Sequence, residues 1–297
     1  RSVSEGVAIH DDLSQMLTDE NLDVVDICLP HHLHEPVATA ALKAGCHVIL
    51  EKPLAADLPG CDAISRAATE ADRLVGVSHN QIFFEPHRRL IELVDQGRLG
   101  DLRSMYLCLW MGGKYGGWRE DSTQVGGGLL MDAGVHRVYM ALRLGGPVLA
   151  VSATMDKPRA EESFALTLSF EGGGSGVIQG SYHGPDGVFD DHIAVQGNQG
   201  MAQVAGCEAF FEGDLETAVM LRTRLDGEWT DDPASGAWDE SVEASVRSIL
   251  SSLAAGEQPE AGLEQGRAAL ELIEACYRSA EQGRTVELSE VRPGASA

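Results

Sequence analysis

Val24-Val25-Asp26-Ile27-Cys28-Leu29-Pro30 is a mostly apolar run, rich in β-branched residues and stopped by a proline. It reads as a strand covered on both faces, the pattern of a parallel sheet. Working outward, Glu35 to Lys43 reads as a helix that tolerates Pro36 in its first turn and has Gly45 just past its end. Val48-Ile49-Leu50 is a second strand, ended by Pro53; Asp57 to Ala71 is another helix, and Leu74 to Val77 a third strand. Upstream, Asp11 to Leu17 is a short helix with acidic N-terminal residues. Strand, helix, strand, helix, strand is half of a doubly wound α/β sheet.

After residue 80 the grammar changes. A helix from about Pro86 to Gln96 leads into Ser104 to Trp110, a strand of large apolar residues, and a second domain starts near here. From Val148 to Val204 the pattern is of several strands, such as Phe164 to Phe170 and Gly176 to Tyr182, which suit an antiparallel sheet. Gly172-Gly173-Gly174 and Gly184-Pro185-Asp186-Gly187 are turn signals, and Asp226-Gly227 is a hairpin turn. Ser241 to Leu253 and Glu264 to Glu281 return to helix, followed by a short strand at Val286 to Leu288. The expected division is residues 1–80 and 81–297.

The 297 residues are 43% apolar and carry 22 basic against 46 acidic side chains, a net charge of -24. That places the chain among globular proteins of one or two domains and excludes a disordered one. The acidic field would repel phosphate backbones and anionic lipid, so neither nucleic acid nor a membrane is an expected partner. No apolar run approaches the roughly 20 residues that span a bilayer. The six cysteines (Cys28, Cys46, Cys61, Cys108, Cys207, Cys276) stand singly, without zinc-site pairs or a disulfide framework, which fits a reducing compartment, the cytoplasm.

Three sites hold chemistry-bearing residues: Pro30-His31-His32-Leu33-His34, Glu51-Lys52-Pro53, and Gly126-Gly127-Gly128 through Asp132 to His136. The first two fall at the carboxyl ends of predicted parallel strands, where open α/β sheets bind ligands. Lys52 is one of only four lysines and is followed by a rigid proline. A cation there could hold a substrate hydroxyl and ease its deprotonation. Asp132 and His136 are four apart, so on a helix they share a face, and a carboxylate beside the ring would orient it and raise its basicity. An isolated D-x-x-x-H reads more readily as a capping aspartate and a core histidine than as a general-base pair; the glycine run before it reverses that balance. His31, His32, His34 and Glu35 do not have metal-site spacing, so no metal is expected, and Asp190-Asp191-His192 reads as a strand entry. Gly112 to Gly117 reads as a mobile loop, placed before Trp118-Arg119 as a lid over substrate would be.

These residues resemble the glucose-fructose oxidoreductase / inositol dehydrogenase (Gfo/Idh/MocA) family of nicotinamide-dependent dehydrogenases. The resemblance rests on Asp26-Ile27-Cys28-Leu29-Pro30 with His34, on Ala44-Gly45-Cys46-His47-Val48-Ile49-Leu50-Glu51-Lys52-Pro53-Leu54-Ala55, and on Gly97-Arg98-Leu99-Gly100. It continues through Gly126-Gly127-Gly128 and Asp132-Ala133-Gly134-Val135-His136, and closes with Ser279 to Arg284 and Val286. It implies a Rossmann-type parallel sheet followed by an α/β domain with a large open, mainly antiparallel sheet, and a homodimer or homotetramer. The implied cofactor is NAD or NADP and the implied substrate a polyol, sugar or related polyhydroxylated compound. By matching position, Lys52, Asp132 and His136 would be catalytic, with His136 the acid/base and Asp132 orienting it. Pro30, His34, Glu51, Lys52 and Pro53 would bind cofactor; Lys52, Trp118, Arg119, Asp132 and His136 would bind substrate. A non-catalytic regulator that senses a dinucleotide or sugar is the alternative.

The family's opening strand, G-x-G-x-x-G loop and ribose-selecting strand do not appear in this sequence. Roughly two βα units are therefore expected to lie outside it, and the parallel sheet is expected to show a bare edge and uncovered apolar faces. Cys46 replaces a usual basic residue, and Arg137-Val138-Tyr139 after the histidine is a second departure, expected to alter the substrate pocket.

Overall fold

A computed structural model describes residues 6–187, 189–204, 221–234 and 236–292; Cys207 lies outside them. The first unit follows the sequence grammar. α1 (Leu13–Asp19) starts two residues later than read, because the Asp12 carboxylate caps it by accepting from the Gln15 amide at 2.8 Å. β1 (Val24–Ile27), α2 (His34–Lys43), β2 (His47–Glu51), α3 (Leu58–Ala71) and β3 (Val75–Ser78) follow. The three strands are parallel in the order β1-β2-β3, with Val25 beside Val48 and Val48 beside Val75. Ala38, Ala41 and Leu42 of α2 and Cys61, Ile64 and Ala68 of α3 bury one sheet face, against Val25, Ile27, Val48, Leu50, Val75 and Val77.

The second unit contains α4 (Glu85–Asp95), β4 (Leu102–Met111), α5 (Ser122–Val125) and a π-helical turn at Leu130–Gly134 that runs into α6 (Val135–Gly145). β5 (Val148–Met155), β6 (Ser163–Phe170), β7 (Ser175–Ser181), β8 (Phe189–Gly197), β9 (Met201–Val204), β10 (Leu221–Arg224) and β11 (Thr230–Asp232) come next. α7 (Trp238–Ala255), α8 (Leu263–Gln282) and β12 (Val286–Glu287) complete the described elements. The strands form one nine-stranded sheet, ordered β11-β10-β9-β8-β4-β7-β6-β5-β12. Every neighbouring pair is antiparallel except β4 with β7, so the sheet is mainly antiparallel, as expected. Asp226-Gly227 lies in the β10–β11 connection, where Thr223 faces Thr230. Strict alternation along β6 turns Phe164, Leu166, Leu168 and Phe170 into the core and Ala165, Thr167 and Ser169 outward.

α7 and α8 return to the first sheet and correct one expectation. Its second face is not bare: Ile49, which points away from α2 and α3, packs on Ile249 and Leu253 of α7. Burying an isoleucine this fully contributes about 1.5–3 kcal/mol. The approach is close enough that a Cβ on Gly76 would collide with Ile249. α8 joins the two cores, with Leu270 in the first and Ala269, Leu272, Ile273 and Tyr277 in the second. The Val77 amide also donates to the Ala261 carbonyl at 2.7 Å. The consequence is a cleft where the carboxyl ends of β2 and β3 meet the start of α6.

Candidate active site

A cavity of about 440 Å³ occupies that cleft, lined by Glu51, Lys52, Asn80, Gln81, Leu109, Tyr115, Arg119, Asp132, Ala133, His136, Phe189, Trp238 and Val242. Lys52 stands one residue past the end of β2, and the Lys52–Pro53 peptide is cis. Its Nζ crosses between the units to donate to the Asp132 carbonyl at 2.6 Å and lies 3.8 Å from Asp132 Oδ1. The Asp132 carboxylate, 5% exposed, also accepts from Arg119 Nε at 3.2 Å (Oδ1) and from the Tyr182 hydroxyl at 3.2 Å (Oδ2). Burial draws the Lys52 ammonium below the ordinary lysine range, although Asp132 and Glu51 pull the other way. Such an ammonium gives up a proton more readily than a surface lysine.

The glycine run earns its place by close approach. Gly126 ends α5 at φ +84° against the Ala56 carbonyl, a Cβ on Gly127 would fall on the Tyr277 hydroxyl, and one on Gly128 on the backbone of Glu161. Glu161 is fully buried and clamps the π-helical turn: its Oε1 accepts from the Leu130 amide at 2.8 Å and the Tyr277 hydroxyl at 3.2 Å, and its carbonyl from the Leu129 amide at 2.8 Å. Burial pushes its carboxyl up to about 7. The turn it holds carries Asp132 and delivers His136 one residue into α6.

His136 and Asp132 share the cavity, but no hydrogen bond joins them, because Arg119, Tyr182 and Lys52 already engage the carboxylate. The expected rise in basicity is overturned as well. Burial, and then the Lys52 charge, lower the His136 ring well below the ordinary histidine value, so it is neutral near pH 7. Its Nδ1 is buried without a hydrogen-bond partner, and its ring meets His79 and Trp238 edge-on at 6.3 and 6.0 Å. His79 in turn stacks on Tyr139 at 4.0 Å. Burial drives His79 and His87 down to about 3 and His31 down to about 2.

These buried neutral rings fix an acid sensitivity. Their pKa values are depressed in the folded state, so their contribution to stability is whole above the unfolded value near 6.5 and is lost as pH falls toward 3. Each then costs up to about 1.4 kcal/mol per pH unit. Glu161 acts oppositely between about pH 7 and 4.5, since its folded carboxyl takes up a proton first. Six rings (His31, His34, His47, His79, His87, His136) are shifted down against four carboxyls shifted up (Asp26, Glu51, Glu161, Asp191), so urea unfolding should show a net loss of stability from pH 7 to pH 5. His87→Asn should lower the slope by about one proton; an unchanged slope would place the acid sensitivity elsewhere.

Of the residues expected at the site, Glu51, Lys52, Arg119, Asp132 and His136 line the cavity; Pro30, His34, Pro53 and Trp118 do not. His34 instead ties the strand-end loops together, with Nδ1 at 2.8 Å from the Pro53 carbonyl and Nε2 at 2.9 Å from the Leu29 carbonyl. Trp118 packs edge-on to His31 at 4.7 Å and carries the Arg119 guanidinium at 4.4 Å from its ring. Gly112 to Gly117 is anchored by Lys114 to Glu162 at 2.6 Å and by the Gly113 amide to the Tyr182 carbonyl at 2.9 Å, and it presents Tyr115 to the cavity. Arg137, flagged as a departure near the pocket, turns away from it into the core and pairs with Asp191 on β8, both fully buried. Sequence reasoning missed Tyr182, Asn80, Gln81, Phe189 and Trp238; Asn80 and Gln81 lie two and three residues past the end of β3 and carried the same strand-end signal as Lys52.

No helix among the described residues is long and apolar enough to cross a membrane. A family model described as "Oxidoreductase family, NAD-binding Rossmann fold" matches residues 2–79, and one described as "GFO/IDH/MocA C-terminal domain" matches residues 87–203. The chain is 30% identical over 173 residues to a 1-carboxy-3-chloro-3,4-dihydroxycyclohexa-1,5-diene dehydrogenase of Comamonas testosteroni, a match covering 56% of this chain and 44% of that protein. It is 25% identical to myo-inositol 2-dehydrogenase of Thermotoga maritima, over 94% of this chain and 84% of that one. Among solved structures, an aldose-aldose oxidoreductase from Caulobacter crescentus complexed with glycerol superposes with a TM-score of 0.79 at 26% identity, covering 92% of this chain and 81% of that one. With the parallel sheet and the nine-stranded sheet each matched by a model of the same family, the chain belongs to the Gfo/Idh/MocA oxidoreductases.

Proposed function

We propose that this protein is an NAD(P)-dependent dehydrogenase or reductase that interconverts a secondary alcohol and a ketone on a polyol, sugar or related polyhydroxylated compound. The observation that carries the reading is the convergence of Lys52, Asp132 and a neutral His136 on one cavity at the strand ends. The names of the relatives, an inositol dehydrogenase and an aldose oxidoreductase, support the substrate class. The cavity suits the nicotinamide end of the cofactor: Leu109, Ala133, Phe189 and Trp238 supply apolar wall, and Gln81 has a buried amide oxygen without a hydrogen-bond partner. Glu51, Lys52 and Gln81 would hold that end, with Pro30, His34 and Pro53 shaping the loops behind it. When bound, the nicotinamide supplies the hydride acceptor in oxidation and the donor in reduction.

The chain's own residues handle the proton. His136 Nε2, the ring nitrogen left to the cavity, takes the substrate hydroxyl proton as the carbinol C–H bond breaks and the C=O bond forms; in reduction it returns that proton. Lys52 Nζ, fixed on the Asp132 carbonyl, donates a hydrogen bond to the substrate oxygen and stabilises its developing negative charge. Asp132, held by Arg119 and Tyr182, keeps an acceptor facing the remaining hydroxyls. The free thiols of Cys28, Cys46, Cys61, Cys108 and Cys276 support a cytoplasmic setting, and the outer face of the nine-stranded sheet, with Trp110 and Val177 exposed on it, supports a homodimer or homotetramer.

Fluorescence titration with NADH and NADPH, followed by turnover across a polyol and aldose panel, tests the reading. Binding of either nucleotide at micromolar affinity with turnover is the expected result. Lys52→Met should then lower kcat/KM by about 100-fold, roughly the worth of one charged donor at a developing oxyanion. Binding without turnover across the panel would overturn the enzyme assignment in favour of a dinucleotide-sensing regulator.

A further inference from the structure

The alternation that turns Leu109 and Phe189 toward the cavity turns their chain neighbours Cys108 and Asp190 to the opposite, outer face of the nine-stranded sheet. There Cys108 of β4 lies directly across from His192 of β8, and Asp190 precedes His192 by two residues on the same face. The Cys108 sulfur, a carboxylate oxygen of Asp190 and a ring nitrogen of His192 all lie within 4.8 Å of one another, with His192 Nδ1 3.4 Å from Asp190 Oδ1. We infer that Cys108, Asp190 and His192 form a binding site for a divalent cation of the zinc class.

The donor set selects the ion. One sulfur, one imidazole nitrogen and one carboxylate oxygen suit zinc and its borderline neighbours, whereas calcium and magnesium call for oxygen ligands alone. Three protein ligands leave a fourth, tetrahedral position for water. Zinc bonds of about 2.0–2.3 Å put ligand atoms roughly 3.3–3.8 Å apart, a spacing the His192–Asp190 pair already has at 3.4 Å, and no pair, all within 4.8 Å, has to close in by more than about 1.5 Å. Asp190 and His192 are half-buried and have room to make that change, while Cys108 is fixed on β4, a strand paired on both sides by β8 and β7. Binding converts the Cys108 thiol to a thiolate and releases its proton to solvent; two anionic ligands then balance the dication. Tyr106 borders the site, its ring 5.1 Å from His192 and its hydroxyl donating to Gln179 Oε1 at 3.3 Å. Asp191, between the two ligands, faces the core and is neutralised by Arg137, so it does not compete for the ion.

The test uses the full chain, stripped with a chelator, incubated with Zn²⁺ alone, desalted and analysed for metal. One zinc per chain is expected, lost in Cys108→Ser and in His192→Ala, with circular dichroism confirming that each variant is folded. Co²⁺ in place of zinc should give thiolate-to-cobalt absorption that Cys108→Ser abolishes. Asp190→Asn, at a half-buried position, serves if the cysteine variant does not fold. Failure of the wild-type chain to retain zinc, or equal retention by the folded variants, would overturn the assignment.

Discussion

His136→Asn is expected to lower kcat by about 100- to 10,000-fold, the range for loss of a positioned general base, with little change in the unfolding midpoint. Asparagine keeps much of the ring's volume, and the buried Nδ1 makes no hydrogen bond that the change would break. Loss of rate without loss of fold therefore isolates the proton transfer. The pH profile supplies a second reading. The His136 pKa lies well below 6.5 because of burial and the neighbouring Lys52, so oxidation should not fall off near pH 6.5 as it would with an ordinary histidine base. A wild-type acid limb centred near 6.5, or a variant that turns over at the parental rate, would remove His136 from the chemistry. Lys52→Met provides the contrast, since it weakens stabilisation of the oxyanion and leaves the proton acceptor in place.

Asp191→Leu is expected to destabilise the chain by about 3–5 kcal/mol, among the largest effects of a single substitution outside the cavity. The change strands the Arg137 guanidinium, fully enclosed in the core, without its counter-charge. Burial already pushes the Asp191 carboxyl above its ordinary range despite Arg137, so the pair owes its persistence to mutual attraction and close packing. Arg137→Met combined with Asp191→Leu should recover most of the loss, because two apolar side chains fill similar space with no desolvated charge. Urea unfolding of the two single variants and the double variant gives the coupling directly. Near-additive losses would show that each side chain acts through its own packing. Because β8 carries Phe189 to the cavity and Asp191 to Arg137, the single variant should also disturb the site from behind.

The order of strands and helices was legible because its signals are local. Pro30 and Pro53 stop strands, Asp12 and Asp57 cap helices, and two-residue alternation along β6 marks its buried face. Lys52 and His136 were legible because the carboxyl end of a parallel strand and a glycine run both restrict what the chain can do nearby. The partners of Asp132 were not: Tyr182 is 50 residues away and reaches the carboxylate only because β7 ends beside the π-helical turn. Nor was the direction of the His136 shift, since desolvation is set by α7, β3 and the Lys52 loop together and not by the spacing of Asp132.

Beyond what the family resemblance implied for Lys52, Asp132 and His136, sequence by itself determined which elements form and that a parallel sheet precedes a mainly antiparallel one. Each of those follows from short-range sterics, periodicity or a residue at a strand end. Only the tertiary structure decided that α7 covers the second face of the first sheet, that Arg119 and Tyr182 take the carboxylate expected beside His136, and that Cys108 faces Asp190 and His192 across two strands. Cross-strand register, burial and charge screening depend on residues tens of positions apart, and they acquire values only when packing brings those residues together.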